Sequence, residues 1–328
     1  MDGNSDGINS SLLRYSGRFV SSKNFFSVRG SYLRKTVAVI LLFHVVTAAW
    51  GQKGNPERPS NDPYHHDWKA ELYEDGIQDN SFLIEEAYNQ DYGVVQHINS
   101  FTWLAQSKSW VYSFTQEWPV DPAPKNQLSY TLLALHAPVL GSGIGFGDVA
   151  LNYRYQLVGG GDARVAVAPR FSLLLPVGDS ALARGAGGVG FQTNWAMSVV
   201  VNKQLTTHWN AGATVVPNGK DTSGDRAATY AYNLDNSLVW TVRPRFNALL
   251  ETVFIRAENV SGPVHTQWSD QLLLNPGIRW AYNFSSGLQI VPGISMPVGV
   301  GPSSGEKGVF FYLSFEHPYR KIPRKEKK

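Results

Sequence analysis

Between Gly143 and Val177 the chain alternates residue by residue. Gly147, Val149, Leu151, Tyr153, Tyr155 and Leu157 hold one parity; Phe146, Asp148, Ala150, Asn152, Arg154 and Gln156 hold the other. After the turn Val158–Asp162, Val165, Val167, Phe171, Leu173 and Leu175 alternate with Arg164, Ala166, Ala168, Arg170 and Ser172. Successive side chains of a strand point to opposite faces, so each run has one apolar and one polar face. In a soluble sheet the apolar face would pack on a second layer. Here the polar face carries Asp148, Arg154, Arg164 and Arg170, and almost every later segment repeats the design. An apolar outside around a polar inside is what lipid demands of a closed barrel.

From Val94 on, about twelve strands are expected, an even number as single-chain bacterial barrels require. They fall near 94–104, 108–118, 128–136, 144–158, 163–176, 189–203, 206–216, 227–242, 245–257, 267–282, 287–297 and 308–316. Leu272, Leu274, Ile278 and Trp280 oppose Gln271, Asn275 and Arg279; Phe246, Ala248, Leu250 and Phe254 oppose Arg245, Asn247 and Glu251. The connections are a second test. With a periplasmic N-terminus, short turns belong at Val158–Asp162, Leu205–Thr206, Arg243–Pro244 and Asn283–Gly287. Longer external loops belong at Gly178–Gly188, Pro217–Arg226, Glu258–His265 and Val298–Lys307. The first hairpin departs from this order, with Gln106-Ser107 tight and Pro119–Gln127 long. Trp103, Trp110, Trp118, Tyr153, Trp240 and Trp280 lie toward strand ends, where amphipathic rings suit the headgroup level.

The segments before the barrel have other characters. Val37 to Ala49 is a continuous apolar run after Arg34-Lys35 and before Ala49-Trp50-Gly51. A basic flank, a short apolar stretch and small residues describe a secretory signal, and the run is too short to span a bilayer as a helix, which takes roughly 20 residues. Residues 1–51 are therefore expected to be an extended leader with a signal peptide, 52–93 a polar arm and plug, 94–318 the barrel and 319–328 a basic tail. Mean hydropathy is −0.22 and hydrophobic residues make up 43%, which excludes a helical membrane bundle but suits a barrel whose strands are half polar. With no cysteine, neither a disulfide framework nor a thiolate metal site arises.

Charged residues are the chief candidates for chemistry. Arg154, Arg164, Arg170, Arg245, Glu251, Arg279 and Asp148 fall on inward parity as lumen-lining or selectivity residues, together with Glu117 and Glu316. Five arginines among them would form a basic constriction favouring anions, or an ion-pair ladder that props the wall. Glu85 and Glu86, in the acidic and partly apolar run Phe82–Gln90, are plug candidates positioned to meet lumen arginines. A periplasmic lid is the other reading of that run. Tyr64-His65-His66-Asp67 reads as solvated surface rather than a metal site. Ser198 with His208, or Ser237 with His265, could be drawn as nucleophile and base, but neither has a Gly-x-Ser-x-Gly turn.

Phe82–His97 (FLIEEAYNQDYGVVQH), Gly145–Leu157 (GFGDVALNYRYQL), Leu173–Asp179 (LLLPVGD), Ile294–Val300 and Val309–Phe315 together resemble the outer-membrane barrel family named for the meta-pathway of phenol degradation. The resemblance spans roughly residues 80–318. It implies an outer-membrane channel of a Gram-negative bacterium that passes small aromatic or hydrophobic compounds. One departure is the end of the chain: Tyr312, Phe315 and Tyr319 are followed by Arg320–Lys328, not by a terminal aromatic for the barrel-assembly machinery to read. The expected fold is all-β, a transmembrane antiparallel barrel of about 12 strands. The expected function is solute passage, with a filled structural or interaction barrel as the alternative and a membrane-embedded hydrolase as a third. The expected partners are outer-membrane lipid, a small-molecule solute and the assembly machinery, with no cofactor, metal or nucleic acid.

Overall fold

The computed structural model describes residue 77 and residues 79–120, 125–138, 143–160 and 163–319. The secretory signal, most of the polar arm with His65 and His66, and the basic tail from Arg320 lie outside the described residues. Twelve long strands make up the protein: β1 (Val94–Leu104), β2 (Ser109–Pro119), β3 (Asn126–His136), β4 (Val149–Tyr155), β5 (Val165–Leu175), β6 (Gly190–Val200), β7 (Leu205–Lys220), β8 (Arg226–Arg243), β9 (Phe246–Gly262), β10 (His265–Trp280), β11 (Gln289–Ser295) and β12 (Gly308–Pro318). Two-residue pieces at Gly145–Phe146, Tyr282–Asn283 and Val298–Gly299 extend neighbouring ladders. Every strand pairs antiparallel with the next, and β12 pairs with β1 from Val94↔Pro318 to Leu104↔Gly308. That last ladder closes the sheet into a barrel and removes its edges.

The ladder between β10 and β11 is short, from Gly277↔Ser295 to Arg279↔Gly293. Pro276 and Pro292 lie in these strands, and each lacks a backbone donor. The seam is covered from within. A Cβ built on Gly277 or Gly293 would lie 2.6 or 2.4 Å from the ring of Phe82. Only a residue without a side chain lets that ring lie flat against the wall there.

The two faces separate by parity as alternation requires. Leu151, Tyr153, Phe171, Phe191, Trp195 and Trp240 are exposed on the outside. Asn152, Arg154, Ser172, Asn194, Glu251 and Asn275 are buried on the inside. The interior is less uniformly polar than expected. Leu249, Val253, Ile255, Leu273, Val291 and Phe310 also point inward and form a buried apolar cluster with Ile77, Phe82 and Ile84. The wall is apolar where those side chains cover it.

The loop end, opposite the start of β1 and the end of β12, departs most from the expected boundaries. β7 to β10 are 16 to 18 residues long, against 7 to 11 elsewhere in the barrel. The stretches 217–226 and 258–265, expected as loops, are half and mostly strand respectively, with the turns confined to residues 221–225 and 263–264. Polar residues such as Arg256, Glu258 and Asp270 interrupt the apolar pattern there, yet the ladder continues because hydrogen bonding between strands does not need lipid outside. The loop between β5 and β6 folds inward. Its short 3-10 turn, Ser180–Leu182, leads to Ala183, which is fully buried among Val111, Leu133, Leu135 and Ala137 of the inner wall. The tight turn at Gln106-Ser107 is held by the neighbouring loop between β11 and β12: the Glu306 carboxylate accepts from the Gln106 and Ser107 amides at 2.9 and 3.1 Å.

The parity assignment makes a direct prediction. Phe171→Arg, on the outer face, should destabilise the protein in vesicles by about 2–4 kcal/mol if it sits near the midplane. Ser172→Ala, one residue along and facing inward, should cost far less. Denaturant unfolding in lipid vesicles checks the order; a larger loss for Ser172→Ala would reverse the faces.

Candidate functional site

An extended stretch of this same chain lies inside the barrel. Asp79 to Gln90 runs around the inner wall near the end that carries the termini, crossing the strands rather than aligning with them. Its alternate amides are taken up one by one by side chains met in order around the wall, on β9, β7, β6 and just beyond β4. Leu83 N–H donates to both carboxylate oxygens of Glu251 at 3.0 and 3.1 Å, and Glu85 N–H to Asn210 Oδ1 at 2.9 Å. Ala87 N–H donates to Ser198 Oγ at 2.7 Å, and Asn89 N–H to Gln156 Oε1 at 2.9 Å. Six extended residues span about 20 Å, and the five strand steps from β9 to β4 span about 24 Å on the wall and less on its inner surface. The two lengths match, which is why every second amide meets an acceptor.

The carbonyls are satisfied in the same manner. Asn210 Nδ2 donates to Glu85 O at 2.9 Å and Gln156 Nε2 to Ala87 O at 2.7 Å. Each of these side-chain amides both accepts from and donates to the segment, as a neighbouring strand's peptide group would. Arg154, 3% exposed, donates to Asn89 Oδ1, Glu86 O, Tyr88 O and Gln127 Oε1 at 2.7–3.2 Å. Arg279 donates to the carbonyls of Asp79 (3.1 Å) and Asn80.

Side-chain contacts fix the register. Arg170 grips Glu85, with Nε at 3.0 Å from both oxygens and Nη2 at 2.8 Å from Oε1. Arg170 also reaches Asn152 Oδ1 at 3.1 Å and Gln192 Oε1 at 2.9 Å. Asp79 accepts from Gln96 Nε2 and the Tyr312 hydroxyl, both at 2.6 Å, and from the Ser314 hydroxyl. Burial pushes the Asp79 carboxyl up from its ordinary value, opposed by the nearby Arg279 charge and by the Ser314 and Tyr312 hydroxyls. Phe82 packs its ring 5.5 Å from those of Phe310 and Tyr312.

The sequence-derived candidates thus divide. Arg154, Arg170, Glu251 and Arg279 converge on the segment, and Glu85 meets Arg170. Glu86 takes part through its backbone, its N–H donating to Asn80 Oδ1 at 3.0 Å. Two assignments change, and Asp148 keeps its lumen-lining place with an added role. Arg245 sits in the exposed turn between β8 and β9, outside the lumen, because the turn falls between Arg243 and Phe246. Arg164 is exposed at the rim, where it donates to the carbonyls of Val200 and Val201, both at 2.9 Å, and caps the end of β6. Asp148 is a staple for the infolded loop, accepting from Gly178 N–H at 3.0 Å and Ala186 N–H at 2.6 Å. Asp79, Gln96, Gln127, Gln156 and Asn210 were not singled out; apart from Asp79 they are uncharged, and their signal was a polar residue on inward parity near the terminal end of each strand.

Ser198 and His208 do come together, with Oγ 2.7 Å from Nδ1. Ser198 is fully buried, and its oxygen accepts from the Ala87 N–H. That geometry spends the serine oxygen on holding the segment. Ser237 bonds Ser81 at 2.9 Å, while His265 bonds Pro263 O at the far rim, so the second drawn pair does not form. Among the described residues no group of three or more His, Asp or Glu side chains is arranged to hold a metal ion.

Between the segment and the inner wall a cavity of about 140 Å³ remains, enough for several waters, since one needs roughly 10–15 Å³. Its floor is Asn80–Glu85, its polar wall includes Ser100, Ser113, Thr115 and Asn152, and Phe310 and Tyr312 close the apolar side.

No protein family and no curated protein matches this sequence. Among solved structures, the chain is similar to the COG4313 outer membrane channel from Pseudomonas putida F1, with 15% identity and a TM-score of 0.52 over 74% of this chain and 99% of that one. It is also similar to the NanC porin, with 10% identity and a TM-score of 0.45 over 68% and 98% of the two chains, and to the KdgM porin, with 7% identity and a TM-score of 0.40 over 69% and 99%. At 15% identity, the likeness to the first shows a shared β-barrel fold.

The grip on the segment has a measurable consequence. The amides of Leu83, Glu85, Ala87 and Asn89 should exchange with solvent as slowly as strand amides. Arg154→Ala removes charge-assisted hydrogen bonds of about 1.5–3 kcal/mol each and should speed that exchange roughly ten- to hundredfold. Asn210→Leu should act chiefly at Glu85. Hydrogen–deuterium exchange by mass spectrometry reads both, and fast exchange in the unmodified protein would show that the segment is not held.

Proposed function

We propose that the protein is an outer-membrane channel for small solutes, closed at rest by its own segment Asp79–Gln90. The observation that carries this is a closed barrel, apolar outside, whose interior keeps a cavity of mixed polar and apolar lining between that segment and the inner wall. A barrel needs no cavity merely to be stable; side chains alone can fill a small one. The similarity to the Pseudomonas putida outer membrane channel supports the fold on which this reading stands. The resemblance of Phe82–His97 and Gly145–Leu157 to the phenol-degradation barrel family favours small aromatic or hydrophobic solutes. The Phe310 and Tyr312 rings facing the cavity suit such solutes.

In this reading residues 1–51 are removed on export, the termini lie on the periplasmic side, and the long hairpins β7–β8 and β9–β10 project outward. Ser223→Cys, in the turn after β7, should then react with an impermeant maleimide on intact cells, and Gly160→Cys should not. The reverse pattern would invert the topology.

A filled structural barrel is the competing reading, favoured by the density of bonds around the segment. Ser81 and Ser237, hydrogen-bonded at 2.9 Å, allow the two to be separated. The protein has no cysteine of its own, so Ser81→Cys with Ser237→Cys introduces a single pair. In planar bilayers, oxidation should latch the segment and suppress current, and reduction should restore it. Absence of current in both states would favour the filled barrel. Equal current in both would place the conducting path away from the segment.

A further inference from the structure

The charges facing the lumen do not balance. Among the described residues the wall contributes Glu117, Asp148, Asp235, Glu251 and Glu316. The lumenal segment adds Asp79, Glu85 and Glu86. Against these eight carboxyl groups stand three guanidinium groups, those of Arg154, Arg170 and Arg279. Arg184, in the infolded loop, is matched by Asp179 at 3.9 Å. Arg164 and Arg245, which parity alone would count inward, are exposed at turns. Protonation of three of the eight would still leave five negative charges against three positive ones. The acidic groups are also spread along the tube: Glu316, near the terminal end, feels the charges of Asp79, Glu86, Asp91 and Glu117, while Asp148 lies by the infolded loop.

A second, independent feature points the same way. Asn247 Oδ1, Gln271 Oε1, Asn275 Oδ1 and Ser295 Oγ are buried without a hydrogen-bond partner. All four residues lie on the inward parity of β9 to β11 and are at most 4% exposed. The Asn275 amide is oriented by its Nδ2, which donates to Glu251 at 2.8 Å, so its oxygen is the atom left over. The three amide oxygens need a donor or a cation, Ser295 Oγ can donate as well as accept, and Arg184 Nε and Arg279 Nε are buried donors likewise without a partner; an unsatisfied buried group costs about 1–3 kcal/mol.

We propose that the conducting lumen selects cations, and that its solutes are cationic or uncharged rather than carboxylates or phenolates; this rests on the channel reading. A narrow tube with a low-dielectric wall concentrates ions of the sign opposite to its own and excludes the others. A basic constriction would require the arginines to outnumber the carboxylates, and the three present are already engaged with Glu85, with the backbone of the segment and with Glu117 at 3.7 Å.

The test is the reversal potential of the full-length protein in a planar bilayer under a KCl gradient. The unmodified channel should favour potassium. Glu117→Gln combined with Glu316→Gln should lower the potassium-to-chloride permeability ratio roughly twofold or more. The unmodified protein is the primary measurement, so a variant that fails to fold does not decide the matter. Chloride preference, or no preference, in the unmodified channel overturns cation selection while leaving the channel reading in place. A reconstituted protein that passes no current, with the Ser81→Cys/Ser237→Cys latch oxidised or reduced, removes both.

Discussion

A buried peptide group must find its hydrogen-bond partner within the protein, and this constraint governs the structure. It forces the sheet to close on itself, which β12 accomplishes by pairing with β1 along its full length. It confines the prolines to places where a missing donor is tolerated, as in the short ladder between β10 and β11. At that seam the glycines at 277 and 293 admit the Phe82 ring, so the part of the wall with fewest cross-strand bonds is supported by packing from within.

The same constraint returns inside the barrel. A chain segment laid across the inner wall cannot join the ladders, because the wall peptide groups lie in the sheet and point at neighbouring strands, not into the lumen. Side chains take over. Asn210 and Gln156 each present an acceptor and a donor to the segment, Glu251 and Ser198 accept, and Arg154 and Arg279 donate to carbonyls. Each bond contributes only about 1 kcal/mol net. Their number, and the match between residue spacing and strand spacing, make the segment an ordered part of the interior. Much of the polar lining therefore serves the segment, and a solute path depends on moving a structure held by many individually modest bonds.

Parts of this site were legible beforehand. Glu85 and Arg170 could be matched because their charges are opposite and both were assigned to the interior. The amides and hydroxyls that hold the backbone carried no such signal, since an uncharged residue on inward parity looks the same whether it faces water or a peptide group. Arg245 was misplaced because parity cannot say where a strand ends, and a residue one step beyond the ladder has no face. The long hairpins were read as loops because Arg256, Glu258 and Asp270 break the apolar period, although strand pairing continues in solvent.

Alternation is a property of neighbouring residues, so the sequence alone determined the all-β class, the closed antiparallel barrel, its even strand number and the side of each strand that turns outward. What fills the barrel depends on contacts between distant positions, such as Leu83 with Glu251, 168 residues apart. Only the tertiary structure decided that residues 79–90 occupy the lumen, that the β5–β6 loop folds into the mouth, and that three of five expected arginines remain inside. With those placements carboxyl groups outnumber guanidinium groups among the described lumen residues, the reverse of the excess that parity implied. That excess is a sum over side chains brought to one space by register and closure, and no local pattern contains it.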